Sequence, residues 1–218
     1  MSAAKLHNAG RAVKAKADIR LHVLEHVRPA RVFDAFCGPT GEMWQRVWRE
    51  ADDYVGVDRE WHITDPRRRY VGDNVAVMRS IDLGRFNIFD LDAFGSPYEL
   101  LCILLARRPW ARDERGGLIV TDGTSGKLRF GQVFGALGAL TKFKGGNRIA
   151  PSAGTARQLQ TMALTRWCER ARVKPLRMWE VDTPGSGKGS FAMRYVAVVF
   201  DGLGAESSGE NVERELRL

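Results

Sequence analysis

The chain has 218 residues, 44% of them hydrophobic, which suits one domain with a sizeable core. Its 34 Lys and Arg against 26 Asp and Glu give a formal net charge of +8, which favours polyanionic partners. The three cysteines lie far apart and indicate neither a disulfide framework nor a paired-cysteine zinc site. Because no apolar run approaches the ~20 residues of a membrane-spanning helix, we expect a cytoplasmic protein without membrane contact.

The chain divides by composition into three parts. Residues 1–30 are basic and predict a solvated helical segment, with a transit peptide as the less favoured alternative. We expect the folded domain over residues 31–201 and a polar tail over residues 202–218.

Short β-rich segments alternate with helical segments, which is typical of an α/β fold. The predicted strands are RVFDAF, DYVGV, RYVGD, FNIFDL, GLIVTD, LRMWEVD and FAMRYVAVVF. Helices are predicted around residues 18–27, 41–50, 74–81, 97–107 and 155–172.

Only TPGSGKGS separates the last two predicted strands, so they form a hairpin and the last strand is antiparallel. The order resembles that of the class I S-adenosylmethionine-dependent methyltransferases, whereas nicotinamide-binding folds end in another helical crossover. The resemblance implies a Rossmann-like, seven-stranded, mostly parallel sheet with an antiparallel last strand.

The stretch VFDAFCGPTGEM joins the first strand to a helix through a glycine turn. Gly38 and Gly41 let the backbone approach a ligand, and Phe36 and Cys37 lie in the same turn. The second glycine of the dinucleotide-binding fingerprint is missing, which disfavours a pyrophosphate ligand.

Acids end three successive predicted strands: Asp34, Asp58 and Asp73. At the carboxyl edge of the sheet they would converge on one crevice, where Asp58 suits the ribose hydroxyls of S-adenosylmethionine. The neighbouring Arg59 and Asn74 are further candidates for cofactor binding. Alternatively, each acid only caps the helix that follows it.

Asp90 and Asp92 end the fourth predicted strand and project in the same direction because Leu91 lies between them. Two acids so close need a cation or an amine nearby, and we expect Asp90 on the cofactor side. Asp92 is the candidate acceptor for the N–H of a nucleobase amino group, with Phe94 stacking on the base. The alternative is an ordinary strand-to-helix turn with an aromatic plug.

Three segments resemble the tRNA guanine-N2 dimethyltransferases: GDNVAVM, DLDAFGSPYELLCILL and GGLIVTDGTSG. The resemblance implies that Asp92 is the catalytic acid and that Phe94 contacts the base. It also implies that Asp34, Asp58 and Asp73 hold the cofactor. Ala93 stands where that family has proline, so the turn after Asp92 is expected to be less rigid.

Two regions are candidates for substrate binding. Ser96 and Pro97 follow the candidate catalytic acid. Basic residues interleaved with phenylalanines follow the fifth strand, which suits nucleic acid, although an amphipathic helix with solvated lysines is equally compatible. These basic residues are Lys127, Arg129, Lys142, Lys144 and Arg148. Arg67, Arg68 and Arg69 are expected in a solvated loop.

Together these patterns predict an S-adenosylmethionine-dependent N-methyltransferase acting on an exocyclic amino group, with guanine in RNA as the preferred substrate. The alternatives are a DNA amino-methyltransferase and a nucleic-acid-binding module without catalysis. The stretch HVLEH matches a short zinc-protease pattern, but we expect its histidines on a helix surface and no metal.

Overall fold

The computed structural model of the protein describes residues 3–60, 66–93, 95–124, 128, 133, 135–142, 153–183 and 193–204. The strands are β1 (Arg31–Asp34), β2 (Asp53–Asp58), β3 (Arg69–Val71), β4 (Ile88–Leu91), β5 (Arg115–Asp122), β6 (Val173–Thr183) and β7 (Met193–Gly202). The helices are α1 (Ala3–His26), α2 (Glu42–Arg46), α3 (Asn74–Ser80), α4 (Tyr98–Arg107), α5 (Gly135–Thr141) and α6 (Ala153–Ala171). Short 3₁₀ turns cover Trp48–Glu50 and Leu83–Arg85.

The strands form one seven-stranded sheet in the order β3-β2-β1-β4-β5-β7-β6. Strands β1 to β5 are parallel to their neighbours within that group, and β7 runs antiparallel to both β5 and β6. This arrangement confirms the predicted fold class. The strand order reverses between β1 and β4, and open α/β sheets bind ligands beside such a reversal.

Successive residues of each strand face opposite sides of the sheet, and each side carries a core. Phe33 and Phe89 belong to the core under α3, α4, α5 and α6. Val32 and Ile88 belong to the core under α1 and α2. The alternation continues along β4, so the side chain of Asp90 faces α1.

Helix α1 is longer and more deeply packed than the sequence predicted. Four apolar residues in the second half of α1 or directly after it are buried against the sheet: Ile19, Val23, Leu24 and Val27. A Cβ at Gly117 would lie 2.4 Å from a side-chain carbon of Val23, so β5 admits this close approach only because it has glycine there. The expected solvated segment is therefore corrected: its second half is part of the domain core.

Helix α5 lies within the stretch predicted to bind substrate. Leu137 and Leu140 are buried in the core under α4 and α6, so this part of the stretch packs inside the domain. Lys142 follows it, exposed and with a φ of 58°. No helix within the described ranges combines the length and apolar character needed to cross a membrane.

Candidate active site

A cavity of about 610 Å³ opens at the carboxyl ends of β1, β2 and β4. It therefore lies at the reversal of strand order. Six of the predicted site residues line it: Phe36, Gly38, Asp58, Arg59, Asn74 and Asp92. Lys16 of α1 and Glu60 also line it, and the sequence analysis predicted neither.

The side chain of Arg67 holds the glycine turn after β1 in place. Its guanidinium donates hydrogen bonds to the carbonyls of Cys37 at 2.9 Å and Gly38 at 3.0 Å. A Cβ at Gly41, where φ is 62°, would lie 2.6 Å from the Arg67 guanidinium carbon. Arg67 is only 7% exposed, so the prediction of a solvated loop is wrong for this residue.

Cys37 belongs to the turn, but its side chain points away from the cavity. A Cβ on Gly56 would lie 2.7 Å from the Cβ of Cys37, which shows how closely the thiol side packs on β2. Burial, with a smaller effect from the charge of Asp34, raises the pKa of the Cys37 thiol to about 12. The expected cofactor contact is therefore corrected for this side chain, which is an inert part of the core.

The acids that end β2 and follow β3 have different surroundings. Asp58 lies on the cavity wall and accepts a hydrogen bond from the Glu60 amide at 2.9 Å. Asp73 is exposed and caps α3, because its carboxylate accepts the amides of Val75 and Ala76, each at 3.1 Å. It also pairs with Arg59 at 2.8 Å, and that hydrogen bond is the main cause of its lowered pKa. Asp73 therefore has the alternative role considered from the sequence: it caps the helix that follows it.

Asp34 lies beneath the cavity instead of on its wall. It is 1% exposed and accepts hydrogen bonds from the Tyr54 hydroxyl at 2.9 Å and the Phe36 amide at 3.0 Å. Burial, followed by the charge of Asp90, raises the pKa of Asp34 to about 8. The expectation of direct cofactor contact is corrected, and Asp34 instead supports the turn from within the core.

Asp90 is fully buried and neutralised by α1. Arg20 donates to its two oxygens at 2.6 and 2.7 Å, and the Trp48 indole donates at 2.9 Å. Burial raises the pKa of Asp90 against the opposing charge of Arg20. This carboxylate is not part of the cavity wall, which corrects its predicted place beside the cofactor.

Asp92 lies at the cavity wall beside two cations. Lys16 donates to Oδ1 at 3.0 Å and to Oδ2 at 2.8 Å, and Arg20 lies 3.1 Å from Oδ2. Burial raises the pKa of Asp92, but the charges of Arg20 and Lys16 outweigh it and hold that pKa below its ordinary value. Asp92 is therefore an ionised carboxylate at neutral pH, with 13% of its side chain exposed.

The turn after Asp92, which contains Ala93, is held by hydrogen bonds at both ends. The Gly95 amide donates to the Ala93 carbonyl at 2.9 Å, and the Gly123 amide donates to the Gly95 carbonyl at 2.8 Å. Beyond the turn, the Tyr98 hydroxyl bonds to the buried Asp122 carboxylate. These contacts join the turn to the end of β5.

The remaining predicted residues are less informative. Ser96 is exposed, and Pro97 is buried where α4 begins. Lys142 lies exposed after α5. Residues outside the described part of the chain are Phe94, Lys127, Arg129, Lys144 and Arg148.

Lys16 and Arg20 were not among the predicted residues, although the sequence contains a signal for Arg20. Arg20, Val23, Leu24 and Val27 follow helical spacing and form one buried stripe that begins with a charge. A buried arginine needs an acid partner, and Asp90 and Asp92 needed a cation. No comparable signal marks Lys16 beyond its position one turn before Arg20.

The histidines of HVLEH lie on α1. The His22 ring stacks on Trp179 with centroids 5.1 Å apart, and His26 also contacts that indole. Within the part of the chain that the structure describes, no cluster of three or more His, Cys, Asp or Glu side chains could hold a metal ion.

Comparison with models of protein families and with curated proteins found no match. Among solved structures, a candidate hemolysin from Lactococcus lactis is similar, with a TM-score of 0.51 and 14% identity over 94% of this chain and 96% of that one. M. jannaschii TYW2 in complex with AdoMet has a TM-score of 0.47 and 11% identity over 84% of this chain and 74% of that one.

A methyltransferase from Burkholderia thailandensis, 1,6-didemethyltoxoflavin-N1-methyltransferase with bound S-adenosylhomocysteine, gives a TM-score of 0.44 and 16% identity over 87% of this chain and 79% of that one. At such identities the similarity concerns the fold alone. The L. lactis structure, whose TM-score exceeds 0.5, therefore has an overall fold similar to that of this chain.

Proposed function

We propose that the protein is an S-adenosylmethionine-dependent N-methyltransferase that acts on an exocyclic amino group of a nucleobase, with guanine in RNA as the substrate. The observation that carries the proposal is the cavity at the strand-order reversal, with Asp58 on one side and the ionised Asp92 on the other. Because β1 lies between β2 and β4, these two acids end strands about 10 Å apart.

The charge of the cavity wall favours this cofactor over a dinucleotide. Asp58, Glu60 and Asp92 bring three carboxylates to it against the two cations of Lys16 and Arg59, so the net charge of the wall disfavours a pyrophosphate. The same carboxylates suit a cationic sulfonium. Phe36 and Val57 provide apolar contact, and Asp58 would accept the ribose hydroxyls.

A bound cofactor would supply a methyl group on sulfur, and Asp92 would act on the amino group that receives it. A carboxylate offers about four acceptor positions, and Lys16 and Arg20 take three of them. The remaining position is on Oδ1, whose hydrogen-bond donor among the described residues is Lys16; the nearby Thr121 hydroxyl also lowers the pKa of this carboxyl. From there Asp92 can accept the amino N–H and stabilise positive charge as the nitrogen becomes tetrahedral.

The choice of RNA rests on charge and on the resemblance found in the sequence. The net charge of +8 favours a polyanion. The tract from Asp90 to Pro97 resembles that of enzymes that methylate guanine in tRNA. Asp92, its central acid, lies on the wall of the cavity.

Cofactor binding can be tested by calorimetric titration with S-adenosylhomocysteine. We expect the wild-type protein to bind it and Asp58→Ala to weaken binding about tenfold or more, through loss of hydrogen bonds to a charged acceptor. Asp82→Ala is the matched control: Asp82 caps the 3₁₀ turn Leu83–Arg85 by accepting the Gly84 amide at 2.8 Å, so its loss lowers stability by about 1 kcal/mol and leaves the affinity nearly unchanged. A wild-type protein that does not bind would contradict the proposal.

Transfer can be tested by incubating the protein with methyl-labelled cofactor and either total RNA or DNA. We expect label in guanine of RNA and about a 100-fold lower rate for Asp92→Asn, with an affinity for S-adenosylhomocysteine that is not reduced. Label in DNA alone would identify the DNA alternative. Cofactor binding without transfer to either would indicate a binding module.

A further inference from the structure

We infer that the Lys16 ammonium binds the carboxylate of the cofactor's amino-acid part, an inference that rests on the proposed function. Lys16 lies on α1, outside the strand ends and turns in which the cofactor-binding residues were sought. Its side chain is 27% exposed and forms part of the cavity wall beside Asp92.

The position of Lys16 matches the end of the cavity where such a carboxylate would lie. Among the described residues that line the cavity, the Lys and Arg side chains are Lys16 and Arg59. Arg59 follows Asp58 and pairs with Asp73, so it belongs to the side of the ribose acceptor. Lys16 belongs to the opposite side, next to Asp92 at the end of β4.

The charge of the wall makes a cation necessary there. A carboxylate entering between Asp92 and the other acids would meet repulsion, and a nearby positive charge offsets it most effectively. Arg20 cannot serve, because it is fully buried and bidentate on Asp90. Lys16 has three N–H donors and gives two to the oxygens of Asp92, and its ammonium also lies 5.5 Å from the centroid of the Tyr195 ring, a longer contact that a ligand carboxylate can replace.

A Lys16 ammonium shared between Asp92 and the cofactor would also set the position of the cofactor, which is the methyl donor. If the Lys16 ammonium contacts both Asp92 and the carboxylate of the cofactor, it holds the amino-acid part of the cofactor beside Asp92. Asp92 is the group that accepts the N–H of the substrate amine. Lys16 is then a binding residue for the cofactor and a positioning residue for Asp92. The matched control on the same helix is Lys14, which is 77% exposed and pairs with Asp18.

The test compares two ligands by calorimetry: S-adenosylhomocysteine, and its decarboxylated analogue, which keeps the ammonium. For Lys16→Met we expect about a 10- to 100-fold loss of affinity for S-adenosylhomocysteine, as for loss of a charged hydrogen bond. The decarboxylated analogue should bind the variant as well as the wild type, or better. Lys14→Met should bind both ligands like the wild type, and Lys16→Arg should recover part of the loss.

The outcomes separate this inference from the proposed function. If Lys16→Met binds both ligands like the wild type, or is folded and loses affinity for both alike, the role in carboxylate binding is overturned while the cofactor proposal stands. If the wild type binds neither ligand, the proposed function itself fails. Circular dichroism and thermal melting of Lys16→Met show whether a loss of affinity for both ligands comes from misfolding. If Lys16→Met is misfolded, the Lys16→Arg variant is used instead. A folded Lys16→Arg protein that has lost all affinity for S-adenosylhomocysteine also overturns the inference.

Discussion

Asp34 shares the α1 side of the sheet with Asp90 and Asp92, and the cations that face them are Lys16 and Arg20. Three carboxyl groups thus face two positive charges. Since Asp34 pairs with Tyr54 and has no cation within hydrogen-bonding contact in the described structure, it is the carboxyl that carries a proton most readily. Its pKa of about 8 agrees with this charge balance.

Replacing Asp34 by Asn should remove a pH dependence of stability. The pKa of Asp34 rises from an ordinary 3.8 to about 8 on folding, so between these values the folded protein binds more protons than the unfolded chain. Stability is therefore highest at the acid end of this window and falls as pH rises, by on the order of 1 kcal/mol per pH unit, and levels off above about pH 8. Asn stays neutral and should not show this fall.

Urea unfolding of both proteins at about pH 6 and about pH 9 measures the difference. Asp18→Asn, on the exposed side of α1, is the control and should follow the wild type. Equal pH dependence of the wild type and Asp34→Asn would show that Asp34 is already ionised at about pH 6.

The glycine turn after β1 is an element held by one side chain from another part of the chain. Arg67→Met should leave the carbonyls of the buried Cys37 and the partly buried Gly38 without this donor, at a cost of about 1–3 kcal/mol. Because Gly38 lines the cavity, the affinity for S-adenosylhomocysteine should fall as well. Chemical denaturation and calorimetry measure the two effects.

Arg68→Met is the neighbouring control for Arg67→Met. Arg68 is 65% exposed and pairs with Asp53 at 2.9 Å, so its loss should change stability by less than about 1 kcal/mol. If Arg67→Met and Arg68→Met behave alike, Arg67 does not hold the turn.

Helix α1 is tied to the sheet by a buried ion pair. Arg20→Leu should destabilise the protein by about 3–5 kcal/mol, because Asp90 is left buried without its counter-charge. Replacing both residues by Leu should recover a large part of the loss. Arg28→Leu, at a side chain that is 53% exposed, should have little effect.

Denaturant unfolding of the single and double variants gives a mutant cycle for this pair. If the loss of unfolding free energy in the double variant equals the sum of the losses in Arg20→Leu and Asp90→Leu, the two side chains act independently.

At the scale of the whole molecule, the sequence was sufficient to predict the sheet but not to predict how α1 packs on it. Strand composition predicted the strands, the short connection before β7 predicted the hairpin, and the resemblance to the class I methyltransferase order implied the mostly parallel seven-stranded sheet. The side chains of Asp58 and Asp92 could be assigned to one edge because parallel strands end together. Asp34 and Asp90 follow the same pattern, but α1 covers them, and strand spacing contains no information about a helix from another part of the chain.

The overall charge predicts how binding to RNA should respond to salt. A protein with a net charge of +8 that neutralises several phosphates releases counterions, so its affinity should fall about tenfold or more between about 50 and 200 mM salt. Filter binding at a series of salt concentrations measures the slope. Titration with S-adenosylhomocysteine over the same series is the control and should change far less, since this ligand displaces no phosphate counterions.

The pairing of Arg20 with Asp90 spans 70 positions of the chain. During synthesis on a ribosome, the arginine is therefore made long before the acid that neutralises it. A nascent chain that stops short of β4 has a charged residue at the start of the stripe that α1 must bury, and desolvating that charge alone is costly. Docking of the first helix thus waits for the middle of the chain, and an amino-terminal fragment cannot complete the core by itself.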